Sequence, residues 1–151
     1  MTDAAIQDRF YPDNRCFGCG GANPDGLHLK SFDRGDALVA EWIAEPRFQG
    51  PPGVVNGGLM AVPMDCHGTW AAMLALGAAD AGDPVPAVTA GYSVRLLAPT
   101  PVDRPVTLRA QVTACEGRKA KVTVTASVDG VTTATFDGAF VRVDGQVATT
   151  P

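Results

Sequence analysis

Asp65 is the residue whose position most needs a chemical explanation. It stands inside an apolar stretch, residues 59–76, that reads as a helix. A carboxylate there is costly unless it is paired or used. Burial raises a carboxylate's pKa, which suits a general base; the plainer alternative is an aspartate bonded to a neighbouring helix or loop. Upstream lies Asn56-Gly57-Gly58, where that helix should begin. Free N–H groups and the positive end of the helix dipole gather at such a start. They can stabilise a developing oxyanion, and glycines let a ligand approach the backbone closely. The alternative is an ordinary helix start with Asn56 as its N-cap. Thr69, four residues after Asp65, shares its helix face, either toward a ligand or back-bonded to its own helix. His67 follows Asp65 by two, so their side chains diverge by about 200° and form no dyad; it reads as a satisfied core or interface histidine. Cys16 and Cys19 form a C-x-x-C. Zinc would need two more ligands, for which Cys66 and His67 are the candidates. The segment reads instead as packing with small buried thiols, and no metal or cofactor is assigned.

The elements that must position these groups follow from pattern. Residues 1–25 are rich in Gly, Pro, Asn and Asp and should be mostly irregular, with a helical turn near residues 4–9; the domain proper should span 26–151. Residues 27–32 and 37–44 read as strands joined by Asp33-Arg34-Gly35-Asp36. A Gly- and Pro-rich loop over 45–55 leads to a helix over 57–76, with Gly77 as its stop and Pro63 as a kink or a shortened front. This helix is apolar nearly all round, as when a sheet wraps it. Residues 86–97, 106–114, 120–128 and 131–143 are strands. Val106, Leu108, Ala110, Val112 and Ala114 face one way along the second of these, and Asp129-Gly130 is a hairpin turn. The expected class is α+β, an antiparallel sheet on one helix.

The 151 residues suit one domain with a sizeable core, and 46% are apolar. The net charge of −4 argues against a uniformly basic nucleic-acid surface. No positive n-region precedes an apolar run, and the longest apolar stretch is interrupted by Pro63, Asp65, His67 and Gly68. A soluble, cytoplasmic protein with no membrane or nucleic-acid partner is the expectation.

Three stretches resemble the acyl-CoA thioesterases of the phenylacetate-degradation (PaaI-like) type, which have the hotdog fold. They are Cys16-Phe17-Gly18-Cys19-Gly20 with Asn23-Pro24 and Gly26-Leu27-His28-Leu29; Phe48-Gln49-Gly50-Pro51-Pro52-Gly53-Val54-Val55-Asn56-Gly57-Gly58, followed by Asp65; and Val88-Thr89 through Val94-Arg95 to Pro99, then Gly117-Arg118-Lys119. The middle motif is the most specific. The resemblance implies that Asp65 activates water or attacks the thioester carbonyl, with Gly57 and Gly58, chiefly Gly58, as the oxyanion site. Gln49 would help hold the thioester or the water, and Thr69 would hydrogen-bond that water. Arg95, Arg118 and Lys119 could meet the phosphates of coenzyme A. Two protomers, as a homodimer or within a homotetramer, would share each site. The family usually has His before the Gly-Gly pair; Asn56, if not only an N-cap, would hold the substrate carbonyl in its place, since it can donate a hydrogen bond but cannot shuttle protons. That departure keeps a non-catalytic acyl-CoA or lipid-binding protein open beside the hydrolase. A hotdog hydratase would need a paired Asp and His, which the spacing does not offer, and a metal or redox module would rest on Cys16 and Cys19.

Overall fold

The computed structural model describes residues 4–145. Two helices, α1 (Ile6–Phe10) and α2 (Ala61–Gly77), accompany six strands: β1 (Phe32–Asp33), β2 (Leu38–Ile43), β3 (Ala87–Leu96), β4 (Pro105–Glu116), β5 (Lys119–Val128) and β6 (Val131–Arg142). The strands form one sheet in the order β1-β2-β4-β5-β6-β3, and every neighbouring pair is antiparallel. This is the α+β hotdog arrangement expected.

Alternation builds the sheet's inner face. On β5, Ala120, Val122, Val124, Ala126 and Val128 are buried, and on β6 Ala134, Phe136 and Phe140 join them. Helix α2 lies against this face and buries residues on most of its sides. Its approach is close at Gly68, where a Cβ would come within 3.1 Å of Phe140. On β4 the inner phase runs through Val106, Leu108 and Ala110 to Val112, which lines an open cleft with Ala71, Leu74 and Ala75 of α2, and it fails at the exposed Ala114. A register shift between Val112 and Ala114 breaks the alternation, as a β-bulge does.

Two expected boundaries move. The strand expected over 27–32 contributes only Phe32 to the sheet. Its earlier residues hydrogen-bond to the N-terminal segment: Leu27 N–H donates to Phe17 O at 2.8 Å, Leu29 N–H to Gly18 O at 3.0 Å, and Ile6 N–H to Ser31 O at 2.9 Å. The helix begins at Ala61, not Gly57. Asn56 closes a separate turn first, its backbone carbonyl accepting from Leu59 and Met60 N–H at 3.0 and 3.2 Å. Pro63 then falls in the first turn of α2, where a missing N–H is tolerated. Among the described residues no helix is long and apolar enough to cross a membrane.

Candidate active site

The loop before α2 is a pinned hairpin. Gln49 bridges to Val55 and Val54 to Pro101; Asn56 N–H donates to Phe48 O and Val55 N–H to Thr100 O, each at 2.8 Å. Gly53 makes the turn at φ +78°, a left-handed conformation that favours glycine. Gln49 Oε1 accepts from Gly53 N–H at 3.0 Å, which leaves the Nε2 hydrogens for other partners. Arg47, Phe48, Gln49, Asn56, Gly58, Leu59 and Val62 line a cleft of about 400 Å³.

The structure thus brings Gln49, Asn56 and Gly58 together, with Gly57 adjoining and a Cβ there only 2.7 Å from Leu96 Cδ1. Asn56 acts as a cap: its Oδ1 accepts from Gly58 N–H at 2.9 Å and from Leu59 N–H at 3.3 Å. The Gly58 N–H, expected as the main oxyanion donor, is therefore already bonded within the chain. Gly57 N–H has no hydrogen-bond partner among the described residues.

Asp65 does not line that cleft. It sits half-buried in the second turn of α2, where Thr89 Oγ1 on β3 donates to its Oδ1 at 2.8 Å. Burial holds its pKa above the ordinary carboxylate value, opposed by the Thr89 bond and reinforced by negative charge at Cys16. Among the described residues its Oδ2 has no partner, yet no buried side-chain oxygen or nitrogen lacks one; Oδ2 is therefore reached by solvent. A carboxylate with one oxygen fixed and the other wet can orient and deprotonate a water molecule.

Thr69 Oγ1 donates to Asp65 O at 2.8 Å, so its proton is spent on its own helix. Thr89 is the hydroxyl that meets the carboxylate, and sequence reasoning assigned it no role. It shares a strand face with Ala87, just before a register shift between Thr89 and Gly91. His67 is fully buried. Its Nε2–H donates to Leu38 O at 2.9 Å and its Nδ1 accepts from Ser31 Oγ–H at 2.8 Å. Desolvation lowers its pKa to about 4, so it is a neutral core histidine.

The three cations are scattered over exposed surface. Arg95 pairs with Thr135 across β3 and β6. Lys119 opens β5 opposite Glu116. Arg118 is engaged by Asp144 at 3.1 Å and by Arg142 O at 2.9 Å.

Comparison with known proteins adds the family. The family model described as Thioesterase superfamily matches residues 52–135. A thioesterase superfamily protein from Shewanella loihica is 32% identical, with a TM-score of 0.64 over 81% of this chain and 96% of that one. The PaaI protein of the E. coli phenylacetic acid degradation operon is 16% identical, with a TM-score of 0.67 over 79% of this chain and 82% of its own. Zebrafish thioesterase superfamily member 2 is 18% identical, with a TM-score of 0.66 over 81% and 90% respectively. The last two are likenesses of fold. No match was found among curated proteins. The helix-wrapping antiparallel sheet, the matched family model and the 32% identical relative lead to one conclusion: this chain belongs to the thioesterase superfamily.

Proposed function

We propose that the protein is an acyl-CoA thioesterase that works as a homodimer or homotetramer. The observation that carries this is Asp65: a carboxylate on the central helix of a thioesterase-superfamily fold, held by Thr89 on one oxygen and open to solvent on the other. In the reaction, Asp65 takes a proton from water as the water oxygen attacks the thioester carbonyl carbon. The carbonyl oxygen becomes an oxyanion, held by the free N–H of Gly57 and, once Asn56 Oδ1 releases it, by that of Gly58. The C–S bond then breaks, and the coenzyme A thiolate takes back the proton. Gln49 orients the acyl group or the water through its amide, and the coenzyme A phosphates meet Arg118 and Lys119 at the β4–β5 turn or Arg95 on β3.

Within one chain Asp65 and the Asn56–Gly58 cleft are separate, which supports a site completed by a second copy. Strand β3 supports the same reading. Among the described residues it pairs on one side only, with β6, and it exposes Val88, Tyr92 and Leu96. A ten-residue edge strand of this kind is a template for pairing.

One observation favours a second reading, a non-catalytic acyl-CoA-binding protein: Asn56 occupies the Gly58 N–H that an oxyanion would need. Release of free coenzyme A from a panel of aliphatic and aryl thioesters separates the two. Turnover by the wild type that falls at least about a hundredfold in a folded Asp65→Asn variant is the expected result. Tight binding of an acyl-CoA with no thiol released would establish the binding protein. The shared site has its own test. Asp65→Asn and Gly58→Pro chains, each inactive alone, should regain turnover when mixed, and silence after proven subunit exchange would count against it.

A further inference from the structure

We propose that Cys16, Cys19 and Cys66 form a three-thiolate site for one zinc ion, with water as the fourth ligand. The three sulfurs lie within 4.8 Å of one another. Cys16 and Cys66 Sγ are 3.6 Å apart, across 50 residues of sequence. That is too long for a disulfide. It matches the sulfur–sulfur edge of a tetrahedral zinc site, about 3.8 Å for Zn–S bonds of about 2.3 Å. The fourth cysteine, Cys115, is exposed on β4 and stands apart from the cluster.

The surroundings of the sulfurs are those of a ligand set. Cys19 Sγ accepts from Trp70 Nε1–H at 3.3 Å and from Asn14 Nδ2 at 3.6 Å. Such donors orient thiolates and spread their charge in metal sites. Two glycines are needed for the sulfurs to meet. A Cβ at Gly18 would lie 2.3 Å from Cys66 Sγ, and one at Gly20 would lie 2.4 Å from Cys16 N. The turn between the first two ligands is closed by Gly20 N–H donating to Cys16 O at 2.8 Å. His67 is excluded as a ligand because both ring nitrogens are already bonded.

Zinc binding here releases the protons still held by the three thiols, replaces them with Zn–S bonds, and changes no oxidation state. The ion clamps the N-terminal segment to α2 at Cys66, next to Asp65.

The test uses the full chain, reduced and stripped of metal by a chelator, titrated first with Co²⁺ and then with Zn²⁺. One equivalent of Co²⁺ per chain should give a sulfur-to-cobalt charge-transfer band and the intense visible bands of tetrahedral cobalt, and one equivalent of Zn²⁺ should abolish them. Cys115→Ser should bind as the wild type does, while Cys16→Ser and Cys66→Ser should lose the bands. The wild-type titration decides even where a variant fails to fold. Absence of thiolate bands in reduced wild type would overturn the site, as would full retention of them by Cys66→Ser. A Cys16–Cys66 disulfide in metal-free protein isolated without reductant would also overturn it, in favour of a redox pair. None of these readouts depends on thioester hydrolysis.

Discussion

The N-terminal segment and the β4–β6 meander are both packed into one core, yet they are held by different physics. The meander rests on alternation: every second residue of β5 faces α2, and Phe136 and Phe140 fill the space beneath it. Many interchangeable apolar contacts share that burden. The N-terminal segment rests on a few specific bonds. Gln7 Nε2 donates to Ser31 Oγ at 3.0 Å, Ser31 N–H donates to Gln7 Oε1 at 2.8 Å, and the Ser31 hydroxyl donates to His67. Removing one member of that chain strands the others in a buried place. Deleting an apolar side chain from the meander leaves a cavity.

Substitutions break the comparison in order of size. Phe140→Ala, at a fully buried position beside Gly68, should cost about 3–5 kcal/mol in denaturant unfolding, with the whole transition shifting as one. A two-step transition would separate the meander from the rest. Ser31→Ala should cost less, about 1–3 kcal/mol, because Gln7 and His67 lose their common partner. Its effect should be local: amide exchange should quicken over residues 6–31 before it quickens in β5. Uniform acceleration would mean that the segment is not a separate unit of stability. Smallest is Asn56→Ala, at about 1 kcal/mol for a lost cap. It also frees the Gly58 N–H, so kcat on a cleaved thioester should not fall. A fall in kcat at unchanged folding would assign Asn56 a direct contact with the substrate.

The same contrast explains what was legible in the sequence. Alternation is a physical consequence of the pleat, so four long strands could be read with ends correct to within two residues. The segment over 27–31 also looked like a strand, but its backbone partners lie in an irregular stretch that carries no period. Asp65 and the Asn56-Gly57-Gly58 turn were visible because a charge in an apolar run and a glycine pair are local signals. Thr89 was not. Its meeting with Asp65 depends on how α2 lies across β3, a tertiary contact that strand alternation does not encode. Cys66 was only one of two candidate partners for the C-x-x-C. It was the burial and full bonding of His67 that separated them.

Among the described residues strand β3 has one unpaired edge and exposes Val88, Tyr92 and Leu96. If a second copy covers that edge and completes the site, activity per chain is no longer a constant. It rises with total concentration and halves near the dissociation constant of the pair, and a diluted assay understates it. A serial dilution followed to a plateau or to a decline would therefore measure the association as directly as the chemistry. In a cell, the amount of protein made would set its specific activity as well as its total activity.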